Sequence, residues 1–346
     1  MKIAIAAGGT GGHIYPGIAI AEELRAIDPE NELLFIGSYE GLEGNIVKHE
    51  GFEIKLIHAR ALLRKISYKA ISAPFMTIIA FFEAIYILLS FKPEMLVVTG
   101  GYVSFPVICA AVILRIPFLL HEENVLPGIT NRIWHRFARV VTLSFEETLE
   151  YMDGTVTGNP VRKRILSAKR KTSEKKTVAI IGGSQGAKSI NKAVVSQLKN
   201  LEDYKIFHII GNRDYDKITE FVEYANYPFY HPLSYVNNIE EVLAQSDLVV
   251  SRAGATAISE ILALGLPSIL VPFPYSAEGH QNLNADVLVN AGAAHVLPDS
   301  KLKKLSSEIS SILSNEDELK NMREAAAKIV KKGAAREIVK LIYALS

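Results

Sequence analysis

The chain is predicted to fold as two doubly wound α/β domains in tandem, each a parallel sheet with helices on both faces. Three observations carry this. Short β-branched runs ending in glycine or polar residues alternate with longer helical stretches, and near-continuous apolar strands separated by helices read as parallel strands buried on both faces. An internal echo follows: Lys2-Ile3-Ala4-Ile5-Ala6-Ala7-Gly8-Gly9 resembles Thr177-Val178-Ala179-Ile180-Ile181-Gly182-Gly183, and each run opens a strand, a glycine loop and a helix. Finally, 346 residues, 49 % of them apolar, are long for one core and sufficient for two.

In the first half the strands are expected at Lys2–Ala7, Glu32–Gly37, Phe52–Ala59, Met95–Gly100, Pro117–Glu122 and Arg139–Ser144. In the second they are expected at Thr177–Gly183, Tyr204–Gly211, Asp247–Gly254, Ser268–Pro274 and Ala293–Pro298. A first domain over 1–163 and a second over 164–334 follow, with a C-terminal helix over about 335–346 packing back on the first. Arg162–Lys176 is dense in lysine and arginine, lacks an apolar period and reads as a solvated linker. Two Rossmann-like domains so arranged face a shared cleft with the carboxyl ends of their sheets, where ligands are expected.

Thirty-eight Lys and Arg against 37 Asp and Glu leave a formal charge of +1, unlike the strongly basic surface of a general nucleic-acid binder. The single cysteine, Cys109, excludes an internal disulfide or a cysteine metal cluster and points to the cytosol. The N-terminus runs straight into glycines and is not read as a signal peptide. Ala73–Phe91 has nearly the length of a membrane span, which needs ~20 apolar residues, but Pro74 opens it and Glu83 sits near its middle. It reads as a crossover helix with an unusually apolar outer face. With the basic Arg60, Arg64, Lys65 and Lys69 just upstream, that face suits a protein resting on an anionic bilayer. A thoroughly buried helix is the competing reading.

Gly8-Gly9-Thr10-Gly11-Gly12-His13 follows the first strand and precedes a helix through Ala19–Leu24. Such glycines let backbone amides approach a diphosphate, and the helix dipole favours it. Ile14 occupies the place of the third glycine of the dinucleotide fingerprint, which weakens that reading. Gly100-Gly101-Tyr102-Val103-Ser104 repeats the logic, as does Gly182-Gly183-Ser184-Gln185-Gly186. The last mimics a P-loop ending in Ala187-Lys188-Ser189, but the second glycine is missing and no strand ends in the aspartate that would hold magnesium. In Ser251–Glu260 a strand ends and small residues, Ala255 and Thr256 among them, open a helix. Glu260 falls one turn inside, where a carboxylate can accept both hydroxyls of a ribose or simply favour the helix dipole. Asp214-Tyr215-Asp216 has the spacing of a metal-binding pair but reads better as a solvated helix start. His208 and His231 read as structural, and His280 as a ligand contact.

Together Gly8–His13, Gly100–Ser104, His121-Glu122-Glu123-Asn124, Gly158-Asn159-Pro160-Val161-Arg162, Gly182–Ala187, Ser251–Glu260 and His280-Gln281 resemble, over the whole chain, the MurG family of bacterial N-acetylglucosaminyltransferases, which completes the lipid-linked peptidoglycan precursor. The resemblance implies the two-domain GT-B fold, with the second domain holding UDP-N-acetylglucosamine. It implies that Glu260 grips the ribose, Ser184 and the Ala255–Thr256 helix start the diphosphate, and the Ile239 backbone the uracil. Gln281 and Asn124 would contact the sugar, Arg162 the donor phosphates, and Thr10, Gly11 and Gly12 would close over the donor. Gly100, Gly101, Tyr102 and Ser104 would seat the diphosphate of the lipid acceptor. The surface around Arg64–Phe91 resembles the family's membrane-docking patch, implying a peripheral protein on the cytoplasmic face of the bacterial cell membrane. Three positions depart from the family: Phe105 stands for its usual Gly, Glu123 for Gln, and His280-Gln281 for paired Gln. The expected chemistry is a single inverting displacement without metal or cofactor. His13 is the first candidate for general base and Glu122 the second. A UDP-sugar-binding relative of epimerase type and a P-loop NTPase are the rival readings.

Overall fold

A computed structural model describes residues 1–60, 68–171, 173–183, 186–222 and 226–345. The chain divides into two compact units, Met1–Arg162 with Lys331–Ser346, and Lys163–Val330. Each is an α/β unit on one parallel sheet, as the alternation of strands and helices in the sequence predicts.

In the first unit the order is β1 (Lys2–Ala6), α1 (Gly11–Ile27), β2 (Glu32–Ser38), α2 (Glu43–His49), β3 (Glu53–Ile57), α3 (Tyr68–Phe91), β4 (Met95–Val98), α4 (Ser104–Ile113), β5 (Phe118–Glu122), α5 (Ile129–Trp134), β6 (Val140–Leu143) and β7 (Thr155–Val156). The strands lie in the order β3-β2-β1-β4-β5-β6-β7, all parallel. Alternate residues of β1 feed opposite cores. Ala4 and Ala6 face the layer built on α3 and α4, while Ile3 and Ile5 face α1, where fully burying each such side chain contributes ~1.5–3 kcal/mol. The C-terminal helix, Ala334–Tyr343, adds Ile338, Val339 and Ile342 to this second layer.

The second unit runs α6 (Lys163–Leu166), β8 (Thr177–Ile181), α7 (Lys188–Ser196), β9 (Lys205–Ile209), α8 (Tyr215–Val222), β10 (Tyr230–Leu233), α9 (Ile239–Ala244), β11 (Leu248–Ser251), α10 (Ala255–Ala263), β12 (Ser268–Leu270), α11 (His280–Asn290), β13 (Ala294–Val296), α12 (Leu305–Leu313) and α13 (Glu316–Ile329). Its strand order is β10-β9-β8-β11-β12-β13. Val178, Ile180, Leu248 and Val250 bring α7 and α12 onto one face.

Three expectations need correction. β7 and β10 are edge strands absent from the strand list above; the first has two residues, and the second contains Pro232, which an edge tolerates because no ladder bond is lost there. Helix α1 begins at Gly11, well before Ala19, because poor helix formers in its first turns hide its start. Arg162–Lys176 is not uniformly solvated, since Arg162 is buried and Ile165 of α6 reaches the interior. Helix α3 has the apolar outer face expected of it, and the competing reading of a thoroughly buried helix does not hold. Ala80, Ala84 and Leu88 face the core, whereas Phe75, Ile78, Phe82, Tyr86 and Leu89 form an exposed stripe, Tyr86 being 74 % accessible. The spacing of 3, 4, 4 and 3 residues keeps that stripe on one side of the helix. Glu83 accepts from the His58 amide and lies 2.6 Å from its Nδ1. Among the described residues no helix is long and apolar enough to cross a membrane.

Candidate active site

In the first sheet the strand order reverses between β1 and β4, and ligands of open α/β sheets bind outside the carboxyl ends of the strands at such a point. The loops after β1 and β4 meet there, with the end of β5 beside them. His13, in the first turn of α1, places Nδ1 2.9 Å from the Thr99 carbonyl oxygen and 3.3 Å from Glu123 Oε2. The Thr99 hydroxyl donates back to the His13 carbonyl at 2.7 Å. A carbonyl only accepts, so Nδ1 bears the proton and Nε2 is left to exchange one. Burial pushes the ring's pKa down, but the Glu123 carboxylate outweighs it through its charge and its approach to Nδ1. With smaller help from Glu122 and the Thr99 carbonyl, the pKa is raised to about 9.

Gly100 and Gly101 permit this packing. Both have positive φ, 97° and 85°. A Cβ on Gly100 would stand 2.8 Å from His13 Nδ1, and one on Gly101 2.0 Å from the Gly8 carbonyl oxygen. Tyr102 lies against Gly9, where an added Cβ would come within 2.8 Å of the ring. Ser104 is buried and its hydroxyl donates to the Gly100 carbonyl at 2.7 Å, so it closes the loop and presents nothing outward. Phe105 meets Trp134 edge-on, with centroids 6.1 Å apart. Thr10 is exposed and, as N-cap of α1, makes no side-chain cap bond; Gly11 and Gly12 are the first two residues of the helix.

Glu122, the second candidate base, is engaged on both carboxylate oxygens. Its Oε1 accepts from the Asn124 amide at 2.9 Å and Asn124 Nδ2 at 3.3 Å; Oε2 accepts from the Gly128 amide at 3.0 Å and Asn131 Nδ2 at 2.7 Å. Burial and the nearby Glu123 raise its pKa, yet four N–H donors leave no acceptor for a carboxyl proton, and the ionised form fits the geometry. It ties Asn124 and the following loop to β5. Its neighbour Glu123 is the group that faces His13. His121 is neutral and structural, its pKa lowered to about 4 by burial, and it is held by Thr142 and Asn159. Arg162, expected at the donor phosphates, is 2 % exposed with its guanidinium stacked 3.8 Å over the Tyr15 ring.

The second sheet reverses between β8 and β11. The loop after β8 leads into α7; Ser184 lies outside the described residues, as do Arg64 and Lys65, and of Lys69 only the backbone belongs to α3. Gly254 is the N-cap of α10 without a side-chain cap bond, so the amides of Ala255 and Thr256 open the helix. Glu260 follows on the same helix, half-buried, and Ile239 opens α9. Gln281, at the start of α11, accepts from the Phe273 amide at 2.8 Å, and Asn284 Nδ2 donates to the Ala253 carbonyl at 3.2 Å, tying α11 to the loop before α10. His280 Nδ1 lies 2.9 Å from the Ala277 carbonyl. Ser189, the serine of the P-loop mimic, donates to Asp299 and accepts from Arg252, both at 2.7 Å, and its hydroxyl is committed. Asp214 pairs with Arg213 and accepts from Asn191 at the start of α8, a helix start as expected. His208 is buried between Asn191 and the Tyr230 hydroxyl.

Three residues escaped the sequence reading. Glu43, fully buried, accepts from the Gly9 amide at 3.2 Å and the Ser38 amide at 2.7 Å, bracing the first glycine loop. Glu123 was visible only as a departure from the resembled family. Arg252 sits among recognised small residues; it lies 2.6 Å from Asp299 and donates to the Val271 and Pro272 carbonyls, gathering β11, β12 and α7.

Residues 3–143 match the N-terminal domain of glycosyltransferase family 28, and residues 177–340 its C-terminal domain. A protein of Thermoanaerobacter sp. (strain X514), named UDP-N-acetylglucosamine--N-acetylmuramyl-(pentapeptide) pyrophosphoryl-undecaprenol N-acetylglucosamine transferase, is 39 % identical over 100 % of both chains. One of the same name from Caldanaerobacter subterraneus subsp. tengcongensis is 38 % identical, again over 100 % of both. The crystal structure of Acinetobacter baumannii MurG superposes with a TM-score of 0.77 at 28 % identity, covering 99 % of each chain.

Proposed function

The chain belongs to glycosyltransferase family 28 and is a glycosyltransferase; from that premise we propose that it transfers N-acetylglucosamine from UDP-N-acetylglucosamine to the C4 hydroxyl of undecaprenyl-diphosphate-N-acetylmuramyl-pentapeptide. The observation that carries this is the end-to-end likeness to relatives named for that transfer. The glycine loops at the two switch points agree with it, since donor and acceptor each carry a diphosphate.

The second unit holds the donor. The uncapped N-terminus of α10 takes the diphosphate through the Ala255 and Thr256 amides, Glu260 accepts the ribose hydroxyls, the Ile239 backbone takes the uracil, and Gln281 reads the sugar. The first unit receives the acceptor's diphosphate at its two glycine loops, Gly8–His13 and Gly100–Ser104. The acceptor hydroxyl attacks the anomeric carbon opposite UDP and its proton passes to His13 Nε2. The C–O bond to the diphosphate breaks with inversion. Charge growing on the leaving UDP is met by fixed amides and the helix dipole, so no metal is required. The stripe on α3 rests the protein on the cytoplasmic face of the cell membrane, where the lipid acceptor lies.

The test is UDP release from UDP-N-acetylglucosamine, with and without the lipid-linked acceptor, in excess EDTA. Release that depends on acceptor and persists in EDTA is expected. Absence of release with acceptor present would reject the transfer, and strict metal dependence would reject the metal-free mechanism.

A further inference from the structure

We propose that Glu123 is the positioning residue of the base: its buried carboxylate lies against His13 Nδ1, whose proton the Thr99 carbonyl already holds, and sets the charge of the imidazole. The proposal rests on the reading of His13 as base given above. Glu123 is 2 % exposed, and apart from the 3.3 Å approach of His13 Nδ1 neither of its oxygens has a hydrogen-bond partner among the described residues. An ionised carboxylate buried without compensation costs several kcal/mol. Its neighbour Glu122, by contrast, is saturated with donors. Glu123 is therefore not built to hold the loop, and His13 is the group it faces.

Glu123, just after β5, and the Thr99 carbonyl, just after β4, face the imidazole, and Glu122 acts on it by charge from its own hydrogen-bonded place. His121 of β5, neutral in its own hydrogen bonds, stands nearby. On the same helix, Tyr15 is covered by Arg162. Only the carboxylates favour the imidazolium by charge, and Glu123 leads them. Across the neutral range the carboxylate keeps the second proton on the ring, at Nε2. Its loss as pH rises through about 9 frees Nε2 to accept from the attacking hydroxyl. Glu123 thereby moves the working range of the enzyme to alkaline pH, and acts through His13 without touching substrate.

Selective 13C labelling of histidine, with His13→Gln identifying the resonance, reads the midpoint of His13 directly in the full chain. The midpoint is expected near 9 in the wild type. In Glu123→Gln it should fall by more than about two pH units, to the unperturbed ~6.5 or below, because burial then meets little opposition. Glutamine keeps the shape and an acceptor for Nδ1–H while removing the charge. Glu123→Leu makes the same charge deletion with similar volume should glutamine not fold, and Glu123→Asp should restore a high midpoint. Equal midpoints in wild type and charge-deleted variants would overturn the proposal. The acid limb of kcat/KM should follow the same shift. If the resonance moves and the limb does not, the pairing stands and His13 is not the base. If the resonance stays and His13→Gln is inactive, the base reading stands and the Glu123 proposal is lost.

Discussion

Glu122→Gln separates a loop-holding carboxylate from a catalytic one. Glu122 is 1 % exposed and accepts four N–H groups, two on each oxygen. An amide can replace only one of those oxygens. If the new NH2 takes the place of Oε2, it confronts the Gly128 amide and Asn131 Nδ2, formerly at 3.0 and 2.7 Å, and both donors are orphaned. Hydrogen bonds to a charged group contribute ~1.5–3 kcal/mol each, so the loss is about 3–5 kcal/mol. For a unit of this size each kcal/mol lowers the melting temperature by roughly 2–4 °C, and a fall of about 10 °C is expected in thermal unfolding followed by circular dichroism. Hydrogen exchange should localise the damage, with protection lost first at the Asn124 and Gly128 amides. A catalytic base would behave in the opposite way, losing kcat with its melting temperature intact. A variant that melts within about 1 °C of the wild type while losing turnover would refute the reasoning and return Glu122 to the mechanism.

Gly101→Ala forces a Cβ to 2.0 Å from the Gly8 carbonyl at a φ of 85°. Turnover should fall more than ~10-fold, because a shift near 1 Å at a reacting centre can cost ~100-fold, and steady-state kinetics checks it. Arg252→Gln strips Asp299, Ser189 and two carbonyls of their cation; the unit should lose ~3–5 kcal/mol in urea unfolding, with donor KM rising more than acceptor KM. His208 is neutral when folded, its pKa lowered to about 3 by burial. The unfolded chain binds that proton below ~6.5 and the folded unit does not, so stability present at neutral pH is lost at ~1.4 kcal/mol per pH unit as pH falls from 6.5 toward 3. Replacing His208 by Asn should flatten the urea-derived slope by one proton. Phe82→Glu with Tyr86→Glu, both on the exposed stripe of α3, should abolish sedimentation with anionic vesicles and leave turnover of a water-soluble acceptor analogue unchanged.

What was legible in the sequence follows from local chemistry. Apolar runs such as Ile3–Ala6 and Val178–Ile181 announce buried parallel strands without help from distant residues. The glycine loops were legible for the same reason, since amide access and positive φ are properties of the loop itself. The carboxylates were not. Glu43 reaches Gly9 across 34 residues, and nothing around Leu42-Glu43-Gly44 signals a buried acid. Glu122 and Glu123 look interchangeable as acids at a strand end, but successive side chains of a strand point to opposite faces. One turns toward Asn131 and the other toward His13, and which does which is decided by the packing of α1 and β4. Arg252 was equally silent, because its partner Asp299 arrives from beyond β13.

These silent residues also divide the labour of two loops that look alike in sequence. Beneath the glycine loops of the first unit lie three buried carboxylates, Glu43, Glu122 and Glu123. Glu43 takes the Gly9 amide, so that amide is not offered to an anion. A negative surround raises the proton affinity of an imidazole and suits proton abstraction. Beneath the strand-end loop of the second unit lies a buried arginine, Arg252, paired with Asp299. The glycines alone announce phosphate in both places. The buried charges behind them differ, unpaired with any cation among the described residues at Glu43 and Glu122 in the first unit and a paired arginine in the second.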